Sequence, residues 1–215
     1  MRTDTRVVLA LDETDGAKAM AVAQAVEGLV DAIKINWPLV LSTSPQTITE
    51  LAELADVICD FKVADIPNTN RLIVEQAVRL GASGVIVHGF TGSDSVQAAV
   101  QAADGRDVYV VTEMSHPGGI EFTAPNADQL ANLAVRCGAS GIIAPATRPE
   151  RIKHLRQIIG DLRILSPGVG AQGGKASDAI RMGADHVIVG RAIYGASDPR
   201  AAARSVVQEV RDVLR

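Results

Sequence analysis

The stretch Val57-Ile-Cys-Asp-Phe-Lys-Val-Ala-Asp-Ile-Pro67 has the composition of a buried strand, yet it carries Asp60, Lys62 and Asp65. Charged residues are almost never fully buried unless they are paired. Side chains alternate across a strand, so Asp60 and Lys62 share one side. Lys34, late in the preceding apolar run, neighbours them if it faces the same interior. Asp65 follows just past the strand, before Pro67 opens a helix at its favoured first turn. The expectation is an array of alternating charge, Lys34–Asp60–Lys62–Asp65.

Such an array is either a structural ion-pair network or a reactive centre. Desolvation can exceed the attraction in a buried pair, so four charges add little as a pure stability device. A lysine held among carboxylates suits proton delivery to a carbanion-like centre. The carboxylates would keep it charged and oriented, and could press against an anionic substrate. Lysine can shift its pKa and transfer a proton, whereas arginine is effectively always charged. Only five of the 21 basic residues are lysine, and two of those, Lys34 and Lys62, fall in strand-like runs. Asp12, Asp60 and Asp65 could ligate a metal, but two lysines in the same space oppose a divalent cation. Ser115 and His116 are adjacent and would point apart on a strand, so they make no nucleophile–base pair.

The elements that must position these groups recur along the chain. β-Branched runs lie at 6–12, 32–37, 56–65, 84–89, 107–114, 141–147, 163–169 and 186–193. Amphipathic segments fill 14–29, 45–54, 67–80, 93–103, 126–138, 148–159, 174–182 and 198–214. That alternation signals βα units and a parallel sheet. Eight strands are the number that a (β/α)8 barrel requires, here one domain over 1–215; a doubly wound sheet is the runner-up. The phrases RLGASG (79–84), RCGASG (136–141) and RMGADH (181–186) each read as a helix end, a Gly at C′ and entry to the next strand. Polar residues gather at the C-terminal strand ends, where this fold places its catalytic groups.

After the seventh run comes SPGVGAQGGKASDAI (166–180), and after the eighth comes VGRAIY (189–194). These are the loops that bind phosphate in such barrels. Glycines let backbone N–H groups approach an anion, Gly190-Arg191 adds a fork of donors, and Gln172 lies mid-loop as a lid. The substrate expected is a small phosphorylated molecule. A net charge of −4 argues against a nucleic-acid partner, no apolar run is long enough to span a membrane, and the first residues lack the shape of a signal peptide. Cys59 and Cys137 have neither the number nor the spacing of a metal or disulfide framework, so a cytoplasmic setting is expected.

LALD, DFKVADIPNTN, TEMSHPG, SPGVGAQGG and VGRAIY, together with Lys34, resemble the orotidine 5′-monophosphate decarboxylases of the short, archaeal-like kind, from Arg6 to Tyr194. The resemblance implies a homodimeric (β/α)8 barrel that converts orotidine monophosphate to UMP and carbon dioxide, with no metal and no organic cofactor. It implies that Lys62 protonates the vacated ring carbon, that Asp60 sits against the departing carboxylate, and that Lys34 links Asp60 to the ribose hydroxyls. Asp12 would bind ribose. Ser115 would hydrogen-bond the pyrimidine, with Val111 and Pro167 on its apolar side. Gln172, Gly190 and Arg191 would hold the phosphate. Asp65, Ile66 and Thr69 would reach into the partner subunit's site. Sugar-phosphate enzymes on a related barrel share Asp-x-Lys-x-x-Asp but rely on Mg²⁺ and carry an acidic residue in place of Lys34, which decides against them. A nucleotide sensor that has lost its chemistry would lack the proton donor, which this chain keeps. Asn36 carries no assignment. Trp37 is expected to pack between helix and barrel, His88 and His116 to support the strand ends, His154 and His186 to be structural, and Cys59 to face the helices as an inert thiol.

Overall fold

Each of the eight runs forms a strand in the computed structural model, which describes residues 1–214. The strands are β1 (Val7–Ala10), β2 (Ala32–Ile35), β3 (Asp56–Val63), β4 (Gly84–His88), β5 (Asp107–Val111), β6 (Gly141–Ile143), β7 (Arg163–Pro167) and β8 (His186–Val189). The helices are α1 (Gly16–Ala25), α2 (Trp37–Ser42), α3 (Thr47–Ala52), α4 (Pro67–Arg79), α5 (Ser93–Ala102), α6 (Gly119–Arg136), α7 (Pro149–Ile159), α8 (Ala176–Arg181), α9 (Arg191–Tyr194) and α10 (Pro199–Leu214). Neighbouring strands pair in parallel, and β8 closes on β1, so the sheet is a closed barrel in sequence order.

Period-two alternation sorts the strand residues onto two faces. Val8, Ile58, Ile86, Tyr109, Leu165 and Ile188 fill the barrel interior. Val7, Val57, Cys59, Val85, Ile142 and Val187 face outward, under the helices. Gly141 shows how tight the wall is: a Cβ there would lie 2.3 Å from the Arg163 carbonyl oxygen. Cys59 faces outward as expected, and burial pushes its thiol up to about 12, with the nearby Asp60 charge adding to the shift.

Strand starts match the sequence reading closely, but strand ends fall short of it. The run at 141–147 leaves the ladder after Ile143, ahead of Pro145, which has no N–H to donate. The run at 186–193 stops at Val189, and Arg191–Tyr194 is helical instead. The run at 32–37 ends at Ile35 because Trp37-Pro38 starts a short helix between β2 and the segment expected at 45–54. Helix α6 begins at Gly119, seven residues before the expected 126, and runs through Pro125. The residues shed from the ladders lie in loops or short helices at the C-terminal mouth of the barrel, where the polar groups gather.

The opposite end of the barrel is held by Asp31, which is buried. Its carboxylate accepts the backbone N–H of Thr5 (2.9 Å) and Arg6 (2.8 Å) and lies 3.2 Å from His186 Nε2. Burial works against the charge, but His186 and the two N–H donors outweigh it and bring Asp31 to about 2. A depressed carboxyl contributes stability that is present above its ordinary value of 3.8 and is lost as pH falls toward 2. Asp31→Asn should therefore lower the melting midpoint at pH 7 by roughly 5 °C, taking the loss as a buried hydrogen-bond defect. Melts recorded at a series of pH values should show the gap closing between about pH 4 and pH 2.

Candidate active site

Strand β3 does not run regularly to its end. Against β4, Cys59 pairs with Val85 and Val63 with Val87, so four residues of β3 span two of its neighbour. Within this bulge Lys62 takes φ 44°, a left-handed conformation that costs a non-glycine residue on the order of 1 kcal/mol or more. The distortion brings the Lys62 ammonium back over Asp60, with Nζ 2.8 and 2.9 Å from its two carboxylate oxygens. From β2, Lys34 Nζ lies 3.0 Å from Asp60 and 3.4 Å from Asp12, just past the end of β1. Asn36 Nδ2 donates to the same Asp12 oxygen at 2.8 Å.

Within one chain the array is Asp12–Lys34–Asp60–Lys62. The chain's own Asp65 does not join it. Asp65 is exposed, and its Oδ1 accepts the N–H of Ile66 at 2.7 Å. Strand β3 ends at Val63, so Asp65 leaves the barrel face before it can join the row. The two lysines differ in access: the Lys34 side chain is 6% exposed and that of Lys62 is 37%. Burial disfavours the charge on Lys34, but Asp60 and Asp12 outweigh it and hold the ammonium above its ordinary range. Burial likewise raises the Asp60 carboxyl, yet Lys34 and Lys62 together hold it below the usual carboxylate value. Both groups are charged at neutral pH. The Lys34 ammonium fills the gap between the two carboxylates, so they cannot share a divalent ion there.

These charges line one side of a cavity of about 320 Å³ at the C-terminal mouth of the barrel. Val111 and Pro167 line its apolar side with Ile86 and Ile188 beneath. Ser115 and His116 border the cavity from an irregular loop after β5, not from a strand. His116 therefore lines the site, where a supporting role was expected. His88 does not line it. It stacks at a tilt on Phe90, 4.9 Å away, and burial followed by the Lys62 charge lowers its pKa. The Ser115 loop is clamped from behind by a cluster that the sequence did not announce. Glu113, fully buried, takes Arg148 at 2.8 Å and Arg151 at 2.9 Å, while Thr147 Oγ1 donates to the Ser115 carbonyl at 3.1 Å. Arg148 also donates to the Met114 carbonyl.

Across the mouth, the glycine loop after β7 folds on itself. Gly170 N–H donates to the Gly174 carbonyl at 2.9 Å, and Gly174 N–H to Gly168 at 3.0 Å. Gly168, Gly170 and Gly173 all have left-handed φ, and a Cβ on Gly174 would lie 2.8 Å from the Gly168 oxygen. Gln172 is exposed at the tip of this loop and lines the cavity, as do Gly190 and Arg191 after β8. Arg191 forms no ion pair among the described residues, which leaves its guanidinium free for a ligand. Ile66 and Thr69, at the start of α4, stay outside the cavity with Asp65.

A closed eight-stranded barrel with lysines and carboxylates interleaved at its C-terminal strand ends is a TIM-barrel enzyme set up for proton transfer beside an anionic substrate. Comparison with known proteins narrows the class. The sequence profile described as orotidine 5′-phosphate decarboxylase / HUMPS family matches residues 5–206. The orotidine 5′-phosphate decarboxylase of Methanosarcina mazei is 56% identical, over 100% of this chain and 99% of that protein. That of Thermococcus kodakarensis is 49% identical over 98% and 99%. The crystal structure of the Methanocaldococcus jannaschii orotidine 5′-monophosphate decarboxylase complexed with the inhibitor BMP superposes with a TM-score of 0.91, at 44% identity, covering 95% of this chain and 97% of that one. The chain belongs to the orotidine 5′-phosphate decarboxylase / HUMPS family.

Proposed function

We propose that this enzyme decarboxylates orotidine 5′-monophosphate to UMP, the last step of pyrimidine nucleotide synthesis, with Lys62 as the acid. The observation that carries this is the Lys62–Asp60–Lys34 row along one wall of a cavity whose far rim holds Gln172, Gly190 and Arg191. The carbon–carbon bond to the carboxylate breaks, carbon dioxide leaves, and the electron pair stays on the ring carbon. Lys62 Nζ gives that carbon a proton and regains one from solvent through its exposed flank. Its ammonium stabilises the developing carbanion before the proton moves. Asp60 anchors Lys62 and sits where the substrate carboxylate enters. Lys34 ties Asp60 to Asp12, which takes the ribose hydroxyls. Ser115 bonds the pyrimidine, and Val111 and Pro167 cover its apolar face. Lys34, lodged between Asp12 and Asp60, favours this reading over Mg²⁺-dependent sugar-phosphate chemistry.

A homodimer belongs to the same reading, with Asp65, Ile66 and Thr69 completing the partner's site. In support, these residues stand outside their own cavity, and Ile66 (64%), Phe90 (65%) and Phe122 (77%) are large apolar side chains exposed on one chain. A cytoplasmic location accords with two free, buried cysteines. No described helix is long and apolar enough to cross a membrane.

The direct test is the fall in orotidine monophosphate absorbance on adding purified protein. UMP binding without turnover would reject the enzymatic reading. Arg191→Ala should cost efficiency at the phosphate end: kcat/KM for orotidine monophosphate falls about 10²-fold or more, as for loss of a charge-assisted pair in a closed site. The same change should leave the much slower reaction of orotidine, which has no phosphate, within about twofold, because only the phosphate gives Arg191 a charge-assisted partner. An equal loss on both substrates would remove Arg191 from the phosphate.

A further inference from the structure

The bulge that carries Lys62 is not held by the sheet alone. Where β3 departs from its register with β4, the Phe61 carbonyl accepts the indole N–H of Trp37 at 3.0 Å. The Trp37 ring also stacks on the Phe61 ring, with centroids 4.2 Å apart and planes 21° from parallel. Phe61 immediately precedes Lys62, whose left-handed φ fixes the direction of the ammonium. Trp37 opens α2 just after β2, three residues beyond Lys34, the other partner of Asp60. One side chain therefore ties the two lysine-bearing segments together on the side away from the cavity. Trp37 does not line the cavity.

On the reading that Lys62 is the acid, we infer that Trp37 is a positioning residue for Lys62: its indole N–H locks the Phe61 carbonyl and so fixes the strained turn that aims the ammonium at the reacting carbon. Packing alone requires the ring but not the N–H. The same Trp37 N–H in a merely structural role would affect stability and substrate binding without regard to the proton donor.

The test separates the N–H from the ring. Trp37→Phe keeps an aromatic ring over Phe61 and deletes the donor. Replacing Trp37 by 3-benzothienylalanine, which puts sulfur in place of the N–H, does so without changing the ring's shape and guards against a folding defect. Both proteins should keep the parent's UMP affinity and KM within about twofold, while kcat falls about tenfold, the size of one lost hydrogen bond. Placed on a Lys62→Ala background, neither change should lower the residual rate further. Exchange of the corresponding ring hydrogen of UMP with deuterated water reads the same proton transfer without carbon dioxide and should fall in parallel with kcat. A parent-like kcat in the benzothienyl protein, or an equal tenfold loss on the Lys62→Ala background, would overturn the inference. Decarboxylation by the parent enzyme is measured in the same series, so failure of the proposed reaction is seen separately from failure of the Trp37 role.

Discussion

Lys62→Ala loses at least about 10⁴-fold in kcat and still binds UMP, the loss standing at the upper end of what a positioned acid contributes. The expectation rests on the difference between the two lysines of the array. Lys34 is nearly sealed and serves two carboxylates at once. Lys62 serves Asp60 alone and keeps over a third of its side chain open, so it can both deliver a proton inward and recover one from water. Removing it leaves Asp60 paired with Lys34 at 3.0 Å, so no buried charge is stranded. The fold should hold, and the melting midpoint should move by only a few degrees. Lys62→Arg is the sharper companion. It keeps a positive charge near Asp60, but a guanidinium does not give up its proton. It should be as slow as the alanine variant. Rates come from the absorbance change, and UMP affinity from calorimetry. An alanine variant within tenfold of the parent would remove Lys62 as the acid.

The barrel was legible in the sequence because parallel strands are covered on both faces and so read as apolar runs bounded by glycine-ended helices. Eight such runs left little choice of topology. Their C-terminal limits were not legible, because the chain leaves the ladder while its composition stays strand-like, as at Ala144 to Thr147 and Arg191 to Ile193. The Lys34–Asp60–Lys62 row was legible from period-two alternation within one strand and adjacency of the next. The place of Asp12 at its Lys34 end was not. It depends on where β1 stops relative to β2, and Ala10 pairs with Lys34 so that Asp12 lands beside the ammonium. Asn36 was equally silent, since an amide carries no signal until a carboxylate is placed 2.8 Å away. The Glu113 clamp joins residues on β5's exit and on α7 and its approach, a pairing that only the closed barrel creates.

Asp60→Asn separates the two jobs that the proposed reading gives to one carboxylate. Asp60 is 8% exposed and ionised, held so by ammonium groups at 3.0 and 2.8 Å despite its burial. As an anchor it orients Lys62. On the proposed reading it also stands, as a buried anion, against the carboxylate of the incoming substrate, a group that UMP lacks and that leaves as neutral carbon dioxide. Repulsion present in the bound substrate and relieved in the transition state lowers the barrier without tightening product binding. The asparagine keeps the shape and removes the charge. It should lower kcat by about 10²- to 10³-fold, the range for losing one preorganised electrostatic partner. It should also destabilise the fold by about 3 kcal/mol, because two ammonium groups lose their shared counter-ion. Its effect on binding should run the other way. On a Lys62→Ala background, where turnover is too slow to interfere, Asp60→Asn should tighten orotidine monophosphate relative to UMP by roughly tenfold, since one like-charge contact is worth ~1 kcal/mol or more outside bulk water. An unchanged ratio of the two affinities, with kcat still depressed, would assign Asp60 to anchoring alone. A depressed kcat with the ratio shifted toward the substrate would place the pressure between the two carboxylates within the mechanism, because no loss of lysine orientation can improve the binding of an anion.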